Sequence, residues 1–187
     1  HAGRVATRGD QAGELPVQAT TAFIEAPAAV DLTVANVTHQ GFAAWRITTP
    51  NGTYYYHKRG GGFGALIDAG GNDWISWNPS AGNAGDFRGI PNMVHPNDGG
   101  YFHPGRANTN SRLVSQSATK VVIESTSSDG AWQVRWEIFA DFARMTVLKA
   151  AGRYWFLYEG TPGGALDSSD FVTRSNKTKT GAFNAWS

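Results

Sequence analysis

Between residues 132 and 138 apolar and polar side chains alternate without a break. Trp132, Val134, Trp136 and Ile138 fall on one side of an extended chain, and Gln133, Arg135 and Glu137 on the other. That is the signature of a strand with one face in a core and one in water. Similar short runs recur along the chain: TTAFIEA, VDLTVANVT, FAAWRITT, TYYYHK, FGALID, DWISW, RLVSQSA, KVVIEST, ARMTVLKA and RYWFLYE. Turn formers separate them, with hairpins predicted at Pro50-Asn51-Gly52 and at Ala69-Gly70-Gly71-Asn72, and a turn at Ser128-Asp129-Gly130. AWQVRWEIF, ARMTVLKA and RYWFLYE are expected to be consecutive antiparallel strands. RYWFLYE departs from simple alternation, since Tyr154, Phe156 and Tyr158 share one face and Trp155 and Leu157 the other. Such a strand is covered on both sides, or it offers rings to a ligand. No amphipathic helix longer than about ten residues is legible. The pattern predicts an all-β fold, an antiparallel β-sandwich over residues 19–187, preceded by an extended arm over residues 1–18.

One stretch resists this pattern. From Gly82 to Arg106 (GNAGDFRGIPNMVHPNDGGYFHPGR) there is neither strand nor helix periodicity. Loops longer than about 15 residues within compact domains are usually functional or disordered. Phe87, Ile90, Met93, Tyr101 and Phe102 give this one apolar anchors of its own. It reads as an ordered site loop on a rigid scaffold.

Composition narrows the class. The 187 residues suit one domain, and 12% aromatic content with seven tryptophans is rich. A net charge of +1 with no basic run lacks the footprint of a nucleic-acid binder. The absence of cysteine excludes disulfides and zinc-thiolate sites. No apolar run approaches the ~20 residues of a membrane-spanning helix. The start at His1 rather than Met suits a signal-processed, secreted or periplasmic protein. The sequons at Asn36, Asn51 and Asn176 add little to that.

Candidate chemistry concentrates in the long loop. His95 and His103, with Arg88 and Tyr101, supply parts for proton transfer near neutral pH. Histidines placed before proline also serve to pin a loop by bonding its backbone, and both readings stand at this point. Tyr158 and Glu159, at a predicted strand end before Thr161-Pro162-Gly163-Gly164, are candidates for a site wall, and Tyr154 shares that face. No cofactor is expected, although a divalent metal at His95 and His103, aided by Asp86 or Asp98, is an open alternative without a specific ligand motif. A copper site on a free His1 is a weaker option, because the residues after it read as an arm. Asp68 and Asp73 flank a hairpin and read as turn formers rather than calcium ligands. RGGGFG lacks the lysine and helix of a phosphate loop and reads as a bulge or hairpin.

Four segments carry a family resemblance: YYYHKRGGGFGALIDAGGNDWISW, GDFRGIPNMVHP with YFHPG, WQVRWEIFADFARMTV, and YWFLYEGTPGG. Together they resemble secreted bacterial carbohydrate-active proteins of the galactose-mutarotase-like supersandwich type. The resemblance implies two stacked antiparallel sheets, one binding sugar on its concave face, with an oligo- or polysaccharide as partner. It places Arg88, Asn92, His95 and His103 at the mouth of the cleft and Glu159 at its strand edge. The implied activity is that of a polysaccharide lyase or sugar epimerase. In a lyase, Arg88 or Asn92 would neutralise a uronate carboxylate while His95, His103 or Tyr101 removes the C5 proton. In an epimerase, a histidine would act as acid and Glu159 or Asp141 as base. Catalytic candidates are therefore His95, His103, Arg88, Tyr101 and Glu159, and substrate-binding candidates are Asn92, Asp86, Tyr158 and Tyr154. A non-catalytic carbohydrate-binding β-sandwich module is the alternative, and a structural or assembly surface protein the second. Because full supersandwich domains use more chain, further C-terminal strands or a second chain are expected to complete the last sheet.

Overall fold

The computed structural model describes residues 31–157, 171–173 and 176–181. The predicted arm and the run TTAFIEA lie outside them, as do Tyr158, Glu159 and the expected completion of the last sheet. Two four-stranded antiparallel meanders make up the fold. The first contains β1 (Thr33–His39), β2 (Phe42–Thr49), β3 (Gly52–His57) and β4 (Gly62–Asp68), in that spatial order. The second contains β5 (Thr109–Gln116), β6 (Val121–Ser127), β7 (Gln133–Ile138) and β8 (Ala143–Lys149). A small hairpin pairs β9 (Phe171–Thr173) with β10 (Lys179–Gly181). Helix is confined to the single turn α1 (Asn83–Asp86) and two 3-10 turns, Pro79–Ala81 and Pro96–Asp98. No helix among the described residues is long and apolar enough to cross a membrane.

Period-2 alternation places the core. Trp45 and Ile47 of β2 sit opposite Tyr56 and Tyr54 of β3, and all four turn toward the second sheet. Val121, Ile123, Trp136 and Ile138 answer from β6 and β7. Rings dominate the layer: Phe63 packs edge-on against both Tyr56 and Trp136, with centroids 4.9 Å apart in each case. One polar link crosses it, between the Tyr56 and Ser125 hydroxyls at 2.6 Å, and Ser111 Oγ lies 2.7 Å from Ser125 Oγ. Burial without a charged partner drives the Tyr56 pKa upward, so the phenol stays a neutral donor.

The outer face of the second sheet is closed by charge. Registry aligns Arg112, Glu124 and Arg135 in one cross-strand row, and Glu137 beside Arg144 in another. Glu124, only 4% exposed, is gripped by both arginines, with Arg135 Nε at 2.8 Å. Glu137 accepts from Lys120 at 3.1 Å and from Arg144 Nε at 2.9 Å. Central β6 thus carries a carboxylate on its outer side that is covered by its own counter-ions.

Two predicted strands are not strands. DWISW follows β4 but makes only one bridge, Ile67 with Asp73. The Asp73 carboxylate accepts from the Leu66 and Ile75 amides, at 3.1 and 3.0 Å, taking the place of a backbone partner. Ser76, at φ 53°, then turns the chain out of extended geometry. The segment 153–157 likewise forms no ladder with β8. Its amides at Trp155 and Leu157 donate instead to the carbonyls of Met93 and Pro91, at 3.1 and 2.8 Å. Tyr154, Trp155 and Phe156 are all exposed on this strap rather than covered on both faces.

The Tyr56–Ser125 link gives a stability expectation. Tyr56→Phe should cost about 1 kcal/mol, since Ser125 keeps Ser111 as a partner. Tyr56→Ala should cost about 3–5 kcal/mol by opening a cavity. Urea unfolding of the two variants measures both, and a near-equal loss would mean the ring, not the hydroxyl, contributes nothing special to the layer.

Candidate functional site

The Gly82–Arg106 loop is ordered, and much of it is core. Met93, Val94, Tyr101 and Phe102 are buried in a second apolar cluster with Trp132 and Val134 of the sheet below. Phe63 and Ile90 exchange backbone hydrogen bonds at 2.7 and 3.2 Å, which ties the loop to β4. Glycines permit the close approach: a Cβ on Gly60 would lie 2.3 Å from the His103 carbonyl oxygen, and one on Gly105 2.2 Å from the Trp77 ring. The loop acts as a plug joining the two sheets.

Its candidate residues have separate duties. The His95 ring caps the Pro96–Asp98 turn by accepting from the Asn97 amide at 3.1 Å, and it packs edge-on against Trp155 at 4.9 Å. His103 is 4% exposed and its Nδ1 lies 2.6 Å from the Pro104 carbonyl, which fixes the proton on that nitrogen. Burial lowers its pKa, against the opposing pull of the Phe87 and Pro104 carbonyls. The Tyr101 phenol is raised by burial and by its hydrogen bond to Asp129 on the β6–β7 turn. Asn92 donates to the Phe87 carbonyl at 3.0 Å, and the Asp86 carbonyl accepts from the Trp77 indole at 3.1 Å. Arg88 is half-buried, with its amide bonded to the Gly85 carbonyl at 3.2 Å. Tyr154 meets Trp132 edge-on at 6.5 Å. No contact joins His95 to His103 among the described residues, and no group of three or more His, Asp or Glu side chains there could hold a metal ion.

Two histidines that drew no notice in the sequence do meet. His39 and His57 lie on strands separated by β2 and meet diagonally, since β2 sets Phe42 opposite His39 and Ala44 opposite His57. His39 Nδ1 and His57 Nε2 are 2.9 Å apart. The Gly105 amide donates to His57 Nδ1 at 3.0 Å, so the proton of the neutral ring is on Nε2 and is given to His39. His39 then carries its own proton on Nε2. Gly64 is the floor of the pair, since a Cβ there would approach His57 Nε2 to 2.9 Å. Burial, then the neighbouring His39 and His103, push the His57 pKa down to about 3. Burial lowers His39 as well, partly offset by Asp73. A neutral, doubly hydrogen-bonded pair of this kind holds loop to sheet; it has no spare lone pair with which to act as a base.

A cleft opens elsewhere, along the edge of the sandwich between β4 and β8. It encloses about 460 Å³ lined by Tyr54, Phe63, Leu66, Ile75, Ile90, Trp136, Ala143, Met145 and Phe156. Tyr54 and Leu66 also line an adjoining polar recess of about 200 Å³ with Asn51, Asp68, Trp74 and Asp141. Trp74 is 46% exposed, and its indole N–H donates to Asp68 at 2.9 Å. The rest of the Asp68 carboxylate takes the Gly70 and Asn72 amides at 2.8 and 2.9 Å, the turn-forming role expected of it. Those bonds, led by the indole, hold its pKa down to about 2. Across the recess Asn51 Nδ2 donates to Asp141 Oδ1 at 2.6 Å. The sequence offered one clue to this place, the tryptophan immediately after a turn-forming aspartate pair. No family model, curated protein or solved structure matches the chain.

The histidines set a pH dependence. In the folded protein His57 stays neutral down to about pH 3, whereas in the unfolded chain it takes a proton below its ordinary value of about 6.5. Stability should therefore be complete above pH ~6.5 and fall as the pH drops toward 3, by up to about 1.4 kcal/mol per pH unit for this one ring. The lowered His39 and His103 act in the same direction. Urea unfolding at pH 7.5, 6.0 and 5.0 should show the decline, and a flat profile across that range would contradict neutral burial.

Proposed function

We propose that the protein binds carbohydrate, without transforming it, in the edge cleft and its polar recess. The carrying observation is Trp74, an exposed ring immobilised by its own hydrogen bond to Asp68 at the rim of a partly apolar cavity. A sugar presents C–H faces and pairs of hydroxyls. A fixed aromatic platform suits the first, and carboxylate and amide groups suit the second. Asp141 keeps Oδ2 without a hydrogen bond from the described residues, while Asn51 fixes its other oxygen. The apolar cavity beyond gives a second, ring-lined surface for a neighbouring unit or substituent.

Binding is favoured over acid–base catalysis because of how the histidines are engaged. His57 and His103 are buried and His39 is tied to His57, and burial keeps the three rings neutral. A proton-transfer enzyme would rest on His95, half-buried and hydrogen-bonded through Nδ1, with Tyr158 and Glu159 outside the described residues. A secreted or periplasmic setting belongs to the same proposal, as the place where such glycans are met.

A glycan screen followed by calorimetry tests the reading. Wild type should bind at least one oligosaccharide and leave it chemically unchanged. Trp74→Ala should weaken binding roughly tenfold or more, about 1.4 kcal/mol, and Asp141→Ala should weaken it too. Trp155→Ala, an exposed ring beside His95, should have no effect. Full affinity in Trp74→Ala would overturn the assignment of the cleft, and turnover of a bound glycan would restore the acid–base reading.

A further inference from the structure

At the opposite end of β2 from the polar recess with Asn51 lies a second small recess of about 190 Å³, built where the β1–β2 turn meets the segment after β3. Phe42, the His57 ring, the Gly60 backbone, Arg59 and Arg106 line it. The two arginines are far apart in sequence but are carried on backbones laced together. The Thr109 amide donates to the Arg59 carbonyl at 2.9 Å, the His103 amide to the Gly60 carbonyl at 3.0 Å, and the Lys58 amide to the Ala43 carbonyl at 3.0 Å. Arg59 is oriented further by its Nη2 donating to the Ala107 carbonyl at 2.9 Å.

Carboxylates do not answer these cations. The four ion pairs among the described residues all lie on the second sheet, and none includes Arg59 or Arg106. Asp73 and Asp86 act electrostatically on His39 and His103, and neither forms an ion pair with these arginines. Two guanidiniums without an acidic partner, on a pre-set backbone and facing one concavity, are complementary to a compact anion that accepts several N–H donors.

We propose that this recess is an oxyanion-binding site, taking a sulfate, phosphate or carboxylate group between Arg59 and Arg106. Phe42 and the His57 ring close its inner side, so the anion meets a wall on one face and water on the other. Both arginines are exposed, which makes binding modest and sensitive to salt. The recess shares no lining residue with the sugar cleft. It lies at the Phe42 end of β2, whereas the polar part of the sugar site begins at Thr49, about 23 Å along the strand at roughly 3.3 Å per residue. Whether the anion is free or carried on a larger molecule, the binding chemistry is the same.

Amide and arginine side-chain NMR shifts, followed during titration of the whole chain, test the proposal. Sodium sulfate and sodium phosphate are compared with sodium chloride at equal ionic strength, and methyl glucuronide with methyl glucoside. The expected result is a saturable shift at Gly60, Ala107 and the arginine Nε–H groups, with a dissociation constant in the range of about 1 mM. Saturation by sulfate or phosphate alone identifies a free-anion site, and saturation by the glucuronide but not the glucoside a sugar-borne carboxylate; either supports the site. Arg106→Gln, on an exposed side chain, should weaken binding about tenfold with the spectrum otherwise intact. Arg59→Gln should do the same, while Trp74→Ala should leave the anion titration unchanged. Linear shifts matched by chloride, or unaltered binding in Arg106→Gln, would overturn it.

Discussion

The aromatic layer between the two sheets is the constraint on which the other features rest. Trp45, Tyr54, Tyr56 and Phe63 from one meander, and Trp136 from the other, occupy the space between the sheets. Their bulk and the Tyr56–Ser125 hydrogen bond fix how the sheets face each other. Large rigid rings pack well in the middle of such a layer but leave its open edge poorly filled. The cavity between β4 and β8 is that edge, so the cleft follows from the same rings that make the core. Strand direction then distributes the remaining chemistry. One end of β2 and β3 supplies Asn51 to the polar recess, and the other supplies Arg59 and the buried histidine.

The long loop is best understood as part of this packing. Its apolar residues extend the core over the second sheet, its Gly89 and Gly105 let the backbone touch Pro104 and Trp77, and Gly60 before β4 meets the His103 carbonyl. Histidines enter as neutral hydrogen-bonding groups with defined tautomers. Burial lowers His39, His57 and His103 together, which ties the seat of the loop to pH. The charged face of the second sheet is complementary in role: Glu124 and Glu137 are depressed by hydrogen bonds from arginine, and they lose that contribution only at lower pH than the histidines.

Strands were legible where a period of two decided burial, as in β7 and the second half of β2. Two aromatic runs misled for a shared reason. DWISW and RYWFLYE carry strand-like composition, yet their amides find partners that composition cannot foretell, an aspartate carboxylate in one case and the loop backbone in the other. The anchors of the long loop were readable as apolar residues, although Phe87 is 43% exposed. What it anchors depends on β4 and β7 far away in sequence. The His39–His57 pair was hidden because it exists only through the register of β1 and β3 on β2, which sets Phe42 opposite His39 and Ala44 opposite His57. Arg59 with Arg106, and Trp74 with Asp141, are likewise products of folding rather than of spacing. His95, His103, Arg88 and Tyr101 stood out in sequence because they cluster there, and in the fold they turn to different neighbours.

The most direct test of the account is to watch the indole N–H resonances during addition of an oligosaccharide that the protein retains on a glycan screen. The seven tryptophans give separable reporters, and among the described ones Trp74 alone lines the polar recess. The account predicts that the Trp74 indole shifts with saturation, with Trp136 following if the sugar reaches the apolar cavity, while Trp132 and Trp155 stay in place. Saturable movement of Trp155 with Trp74 unmoved would contradict it and place the ligand on the loop instead.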